Sequence, residues 1–309
     1  MGILCYTKNM KLYGDYHVHS EFSRDATGTI DEIVRIAKEK GLAEIAISDH
    51  GSGLGYGVSP KHYKQIRALI DKAKAEHGID VYFGIESNLL GTDGQIDAYE
   101  EHRREFDLVL CGIHPRTRAA NLRSWFSFFL PNMICMTFRI FSRSRRRKNT
   151  EAMKKVIERN DIDIWVHPNR FFKLDVVEVA KTCADRGTLI ELNGKGVSFR
   201  PIDFERMIAL GAKFVISSDA HNPKQIARTD RVAEFLKSCD YSPDDIINLT
   251  GRFRRGDAKL LEKVQARFTD ESTTETKKTR KELRSEKKAE KQRLREKYKR
   301  EKMIKRKKD

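Results

Sequence analysis

The 309-residue chain holds nine histidines, and six of them stand where they can share metal ions. His17 and His19 lie two residues apart in GDYHVHS. Residues i and i+2 of a strand point to one face, so both imidazoles can reach the same ion. One His-x-His pair is a common accident, and it is the repetition that points to chemistry. Asp49-His50, Glu86, His114, His167-Pro168 and Asp219-Ala-His221 each close a further short β-branched run. Imidazoles and carboxylates gathered in one place hold divalent ions, and such ions lower the pKa of bound water from ~15.7 to about 7. That supplies a hydroxide nucleophile at neutral pH without any Ser or Cys, so the pattern reads as metal-assisted hydrolysis. His62, His77 and His102 fall in helical segments among charged neighbours and are expected at the surface.

These residues need a scaffold that brings strand ends together. From Tyr13 to about Ser242, short β-branched runs alternate with helical spacing, the signature of βα units around a parallel sheet. The expected strands are Asp15–Ser20, Glu44–Asp49, Val81–Glu86, Leu108–His114, Ile162–His167, Thr188–Asn193 and Phe214–Asp219. Between them, Ile30, Ile33, Val34 and Ala37 before Gly41, and Phe204, Met207 and Ile208 before Gly211, mark helices closed by a glycine. In a parallel barrel all strand ends open on one face, where catalytic residues collect. The sixth strand ends in Glu191-Leu-Asn193, polar but not an obvious ligand pair.

Taken together, GDYHVHSEFSRDA, ISDHG, GIES, GIHP, WVHPNR, ELN and SSDAH resemble the PHP domain, the phosphoesterase family named for bacterial DNA polymerases and histidinol phosphatase. The resemblance runs from about Lys11 to Ala227. It implies an α/β fold, a distorted seven-stranded (β/α)7 barrel, and a trinuclear metal site. Carried over by position, His17, His19, Glu86 and Asp219 hold one ion. Glu86, His114 and His167 hold a second, with Glu86 bridging, and Asp25, His50 and His221 a third. Such a site keeps a net positive charge for a phosphate dianion and a metal-bound hydroxide. Mixed imidazole and carboxylate ligands suit Zn, Mn or Fe. Asp49 is a candidate orienter or proton acceptor. Arg170, and after it Arg116, is a candidate fork onto substrate phosphate.

Charge divides the rest. Residues 277–309 contain 18 Lys and Arg against 6 Asp and Glu, and residues 116–148 contain nine basic residues and no acidic one. Without those two segments the body is slightly acidic, so the net charge of +16 does not describe a basic groove over the whole molecule. A barrel domain over 1–268 with an apolar and basic insertion at 116–148, followed by a helical or disordered tail at 269–309, is the expected organisation. The insertion's centre, WFSFFLPNMICMTFRIF, is too short and too interrupted for a membrane span, which needs ~20 apolar residues. It reads either as a packed flap over the site or as an interfacial segment beside anionic headgroups. Five scattered cysteines without a CxxC pair, and a start without an apolar leader, are expected of a reduced, cytoplasmic protein, peripheral to a membrane if the insertion docks there. The leading functional expectation is a phosphomonoesterase acting on a small phosphorylated substrate. The alternatives are a nuclease or phosphodiesterase, and a non-catalytic module that binds nucleic acid or membrane through the tail and the insertion.

Overall fold

The computed structural model describes residues 10–98, 100–140 and 142–250. The basic tail, the domain boundary near 268 and Cys5 lie outside the described residues. Seven parallel strands, β1 (Gly14–Val18), β2 (Glu44–Ile47), β3 (Asp80–Asn88), β4 (Leu108–Gly112), β5 (Ile164–Trp165), β6 (Leu189–Asn193) and β7 (Phe214–Ser217), pair in sequence order. Helices α1 (Ile30–Glu39), α2 (Tyr63–His77), α5 (Arg143–Arg159), α6 (Val176–Arg186) and α7 (Pro201–Ala209) lie on the connections between them. The strands are buried on both faces, as a sheet wrapped by crossovers requires.

Two apolar clusters follow from this. Tyr16, Ala46, Leu108, Leu110, Ile164, Leu189 and Val215, all from strands, pack with one another inside the barrel. The outward residues of the same strands, such as Val109, Trp165, Ile190 and Ile216, pack against Ile33, Val34, Val179 and Phe204 of the helices. Each such fully buried aliphatic or aromatic side chain contributes roughly 1.5–3 kcal/mol. The expected apolar stripe of α1 is the one buried, and Thr29 caps that helix by accepting from the Glu32 N–H. Gly41 then turns the chain with φ of 78°, as Gly211 does with 82° after α7.

All seven expected strands form, with a consistent difference at their ends. β1, β2, β4, β5 and β7 each stop two residues early, whereas β3 runs two residues past Glu86. The candidate ligands beyond β5 and β7 sit where the backbone bends away. His167 and Asp219 have φ of 32° and 54°, the left-handed region that non-glycine residues avoid.

Closure uses two devices. At the ligand-bearing end, β1 and β7 meet through a bridge of Val18 to Ala220, with the His19 N–H donating to the Ala220 carbonyl at 2.9 Å. At the other end, the segment after helix α8 (Asp230–Leu236) fills the gap. Ile246 bridges Phe214, the Tyr13 N–H donates to the Asn248 carbonyl, and the Asn248 amide donates to Gly14 and Ile216 carbonyls at 2.8 and 2.7 Å. A short helix, α9, spans Ile247–Thr250.

The insertion is helical. α3 (Leu122–Ser124), a π-helical stretch (Trp125–Phe129) and α4 (Leu130–Thr137) run on without a break from Leu122 to Thr137. Pro131 has no N–H for the Ser127 carbonyl, and the Arg145 guanidinium donates to that carbonyl at 2.7 Å. No described helix is long and apolar enough to cross a membrane.

Candidate metal centre

All nine candidate ligands come together at the mouth of the barrel, around Glu86. Its Oε2 lies 3.3 Å from His17 Nε2, 3.5 Å from His19 Nε2 and 2.6 Å from His50 Nδ1. Its Oε1 lies 3.2 Å from His114 Nε2 and 2.7 Å from His167 Nε2. Asp219 Oδ1 faces His17 and His19 at 3.9 and 3.6 Å, and Asp25 Oδ2 lies 3.3 Å from both His50 and His221. Donor atoms around a tetrahedral ion at ~2.1 Å stand ~3.4 Å apart, so the group formed by His17, His19, Glu86 and Asp219 has the spacing of one coordination sphere.

The chemistry of the donors also fits an ion. Asn88 Nδ2 donates to Asp97 at 2.7 Å, which leaves Asn88 Oδ1 as the acceptor for His114 Nδ1, 2.6 Å away. Burial pushes the His114 imidazole down to about 4, so at neutral pH its Nε2 is a bare lone pair. That lone pair faces the buried Glu86 carboxylate. Burial opposes the carboxylate's charge, but the charged imidazoles of His50 and His17 around it hold it well below the usual range. Two electron-rich atoms 3.2 Å apart repel unless a cation lies beside both. His17 Nε2, both ring nitrogens of His19 and Glu86 Oε2 are likewise buried without a hydrogen-bond partner.

Several supports were not legible as site residues. Glu191 is fully buried and takes His17 Nδ1 at 2.7 Å, the His167 N–H at 2.7 Å and Asn193 Nδ2 at 2.9 Å. A carboxylate on the far nitrogen fixes the tautomer of a metal-binding histidine. Burial works against a charge on His17, yet Glu191, Glu86 and Asp219 outweigh it and hold the imidazole well above its ordinary range. Lys195 Nζ lies 2.8 Å from Asp219 and 3.0 Å from His221 Nδ1. Gly112, in GIHP, leaves room for a ligand, since a Cβ there would stand 2.6 Å from His167 Cε1. The signal for Glu191 was its i, i+2 pairing with Asn193, the same spacing as His17 and His19.

Asp49 is buried. Both its carboxylate oxygens accept from Ser20, at 2.7 Å each, and burial pushes it up to about 6. Its contacts are those of an orienter of the loop after β1. Arg170 sits at the mouth with its side chain one-third exposed, 3.4 Å from both Asp219 and Asn193. Arg116 is exposed. His62, His77 and His102 are half-buried rather than exposed: His77 pairs with Asp31 at 2.8 Å, and the other two rest on the rings of Phe22 and Tyr63.

The chain is similar to a probable phosphatase of Syntrophotalea carbinolica, 29% identical over 79% of this chain and 95% of that one. A probable phosphatase of Shewanella sp. strain MR-4 is 26% identical over 76% of this chain and 86% of its own length. Among solved structures, a histidinol phosphate phosphatase of Lactococcus lactis, in complex with zinc, L-histidinol and phosphate, aligns with a TM-score of 0.48 and 17% identity, covering 74% of this chain and 95% of that one. The family model of the PHP domain matches residues 15–164, from β1 to β5, which takes in the HVHS and SDHG motifs, Glu86 and His114, and this stretch of the chain is thus identified as a PHP domain.

Proposed function

We propose that this protein is a metal-dependent phosphomonoesterase, with three divalent ions held by His17, His19, Glu86 and Asp219, by Glu86, His114 and His167, and by Asp25, His50 and His221. The observation that carries the reading is the convergence of nine candidate ligand side chains at the barrel mouth, five histidines of them on Glu86, with buried donor atoms aimed at one another. Bound ions would supply the charge that draws a phosphate dianion in and the activation of water that attacks it. The chain's own residues set the geometry. Glu191 and Asn88 fix the outer nitrogens of His17 and His114, so that each presents Nε2 to the centre. Lys195 offsets the charge of Asp219 from the solvent side. Arg170 projects at the mouth, where its planar fork can take two phosphate oxygens and orient the ester. Beside Arg170 and Phe171 opens a cavity of about 890 Å³ between the insertion and α7, space for the leaving group of a compact phosphate ester. The phosphatase names of the relatives agree with this choice over a diesterase.

The test compares p-nitrophenyl phosphate with bis-p-nitrophenyl phosphate, with Mn or Zn added, for the wild type and for H17A/D219A. Metal-dependent turnover of the monoester, reduced at least ~10³-fold in the variant, is the expected result. Preference for the diester would overturn the monoesterase reading, and turnover of neither would overturn the catalytic one.

A further inference from the structure

Six of the eight large hydrophobic side chains exposed among the described residues lie in one short stretch, Leu122, Phe126, Ile134, Met136, Phe138 and Ile140. The other two, Ile202 and Leu210, are single residues elsewhere. The stretch has two stripes at helical spacing. Ser124, Phe128 and Asn132 are buried against the body, whereas Leu122, Phe126, Ile134 and Phe138 look outward, with Leu122 77%, Phe126 61% and Phe138 70% exposed. The inner stripe is firmly held: Asn132 and Asn149 exchange two amide hydrogen bonds at 2.8 and 2.9 Å, and Phe128 packs edge-on against Phe172. The outer stripe is therefore displayed by an anchored element. Monomeric proteins rarely expose a contiguous apolar patch of this kind without a use for it.

Charge identifies what covers it. Residues 116–148 carry nine basic residues and no acidic one. Arg139, Arg143 and Arg147 are exposed, and their side chains make no ion pair or hydrogen bond among the described residues. A second copy placed by two-fold symmetry would set this cationic patch against itself. A nucleic acid would satisfy the arginines and leave Leu122, Ile134 and Ile140 in water. An anionic bilayer answers both, taking the apolar side chains at the boundary of headgroups and acyl chains and the guanidinium groups at the lipid phosphates.

We infer that the outer face of the 122–140 segment docks the protein on anionic lipid surfaces. The inference stands apart from the catalytic reading, since none of these residues is a metal ligand. Docking brings the membrane to the site's own doorstep: Met136, Arg139 and Ile140 line the cavity that Arg170 and Phe171 also line. A phosphate ester held at a membrane would therefore meet the mouth of the barrel from the side on which the protein sits.

The test is flotation of the full-length chain with phosphatidylcholine vesicles, with and without phosphatidylserine, for the wild type and for F126S/F138S. That variant keeps every charge, including those of the tail, and both side chains are exposed, so its melting curve is expected to match the wild type. L122S/I140S serves as a second, independent variant. Binding to the phosphatidylserine vesicles, weakened by salt and lowered at least ~10-fold in partition by either variant, is the expected result. Unchanged binding by both variants would overturn the inference and assign attachment to the basic tail. It is overturned equally if the wild type floats with neither vesicle, or if the variants only turn a dimer into a monomer on size exclusion.

Discussion

His17 and His50 are the side chains whose charge depends most on what fills the site. In the chain without ions, the Glu86 and Asp25 carboxylates overcome burial and push His50 up to about 10, and His17 is held well above its usual range. A histidine whose folded pKa is raised above its unfolded value of 6.5 contributes stability that is fully present below 6.5. That stability is lost as pH rises through the folded pKa. Histidines pushed down, such as His19 and His114, are already neutral in both states above pH ~7 and leave that window alone. Chelated protein is therefore expected to lose stability between pH ~7 and 10, on the order of a few kcal/mol, while protein loaded with Zn or Mn keeps its melting temperature. Melting curves across that range check it, and a chelated protein equally stable at both ends would refute the charge assignment. Eight of the nine candidate ligands were legible in the sequence as residue types with metal chemistry repeated at strand ends, and Asp25 only through the family resemblance. Glu191 and Lys195 were not legible, because the spacing of Glu191 and Asn193 marks one polar face but does not show the contacts with His17 and Asp219 in which their roles lie.

At the scale of elements, α5 and the insertion are joined by a buried polar pair. Asn149 is buried, and its Nδ2 donates to Asn132 Oδ1 and to the Lys173 carbonyl, while its Oδ1 accepts from Asn132. Asn149→Ala leaves Asn132 Oδ1 and the Lys173 carbonyl without their donor, at a cost of ~2 kcal/mol, or roughly 4–8 °C of melting temperature. Replacing both asparagines by leucine removes the unsatisfied amide together with its partner, and is expected to cost less than the single change. Thermal melts of the single and double variants decide it; a double variant worse than the single would mean that the pair carries net stability of its own. The helices flanking the barrel could be read from their apolar spacing and glycine stops, because a 3.6-residue period against a sheet leaves a repeating mark. The insertion left two readings open, flap or interfacial segment, since seventeen apolar-rich residues do not say which half is buried. The structure divides them, with Phe128 and Phe129 inward and Phe126 and Phe138 outward.

A parallel seven-stranded barrel has a seam to close, and the whole molecule closes it unequally. Where the candidate ligands stand, the chain after β7 bonds β1 directly through Val18 and Ala220, which holds His17 and His19 beside Asp219 and His221. Asp15 tightens the same join, accepting from the Ser218 and Ala227 N–H groups at 3.0 and 2.9 Å. Below that point the strands diverge, and Asn248 stands in for the missing partner, accepting from the Ile216 N–H at 3.0 Å and donating to Gly14 and Ile216 carbonyls. Nothing in the sequence near Ile246–Asn248 reads as a strand. Its pairing is a consequence of the gap that seven strands leave, so it becomes visible only once the barrel exists. Asn248→Ala leaves three buried backbone groups unpaired and is expected to cost ~3 kcal/mol, roughly 6–12 °C in melting temperature. Because the direct seam at the mouth is untouched, metal content and turnover at 25 °C should stay within ~2-fold of wild type. Loss of bound metal at a temperature where the fold is intact would mean instead that the lower seam sets the ligand geometry, with the two ends of the barrel coupled through β1 and β7.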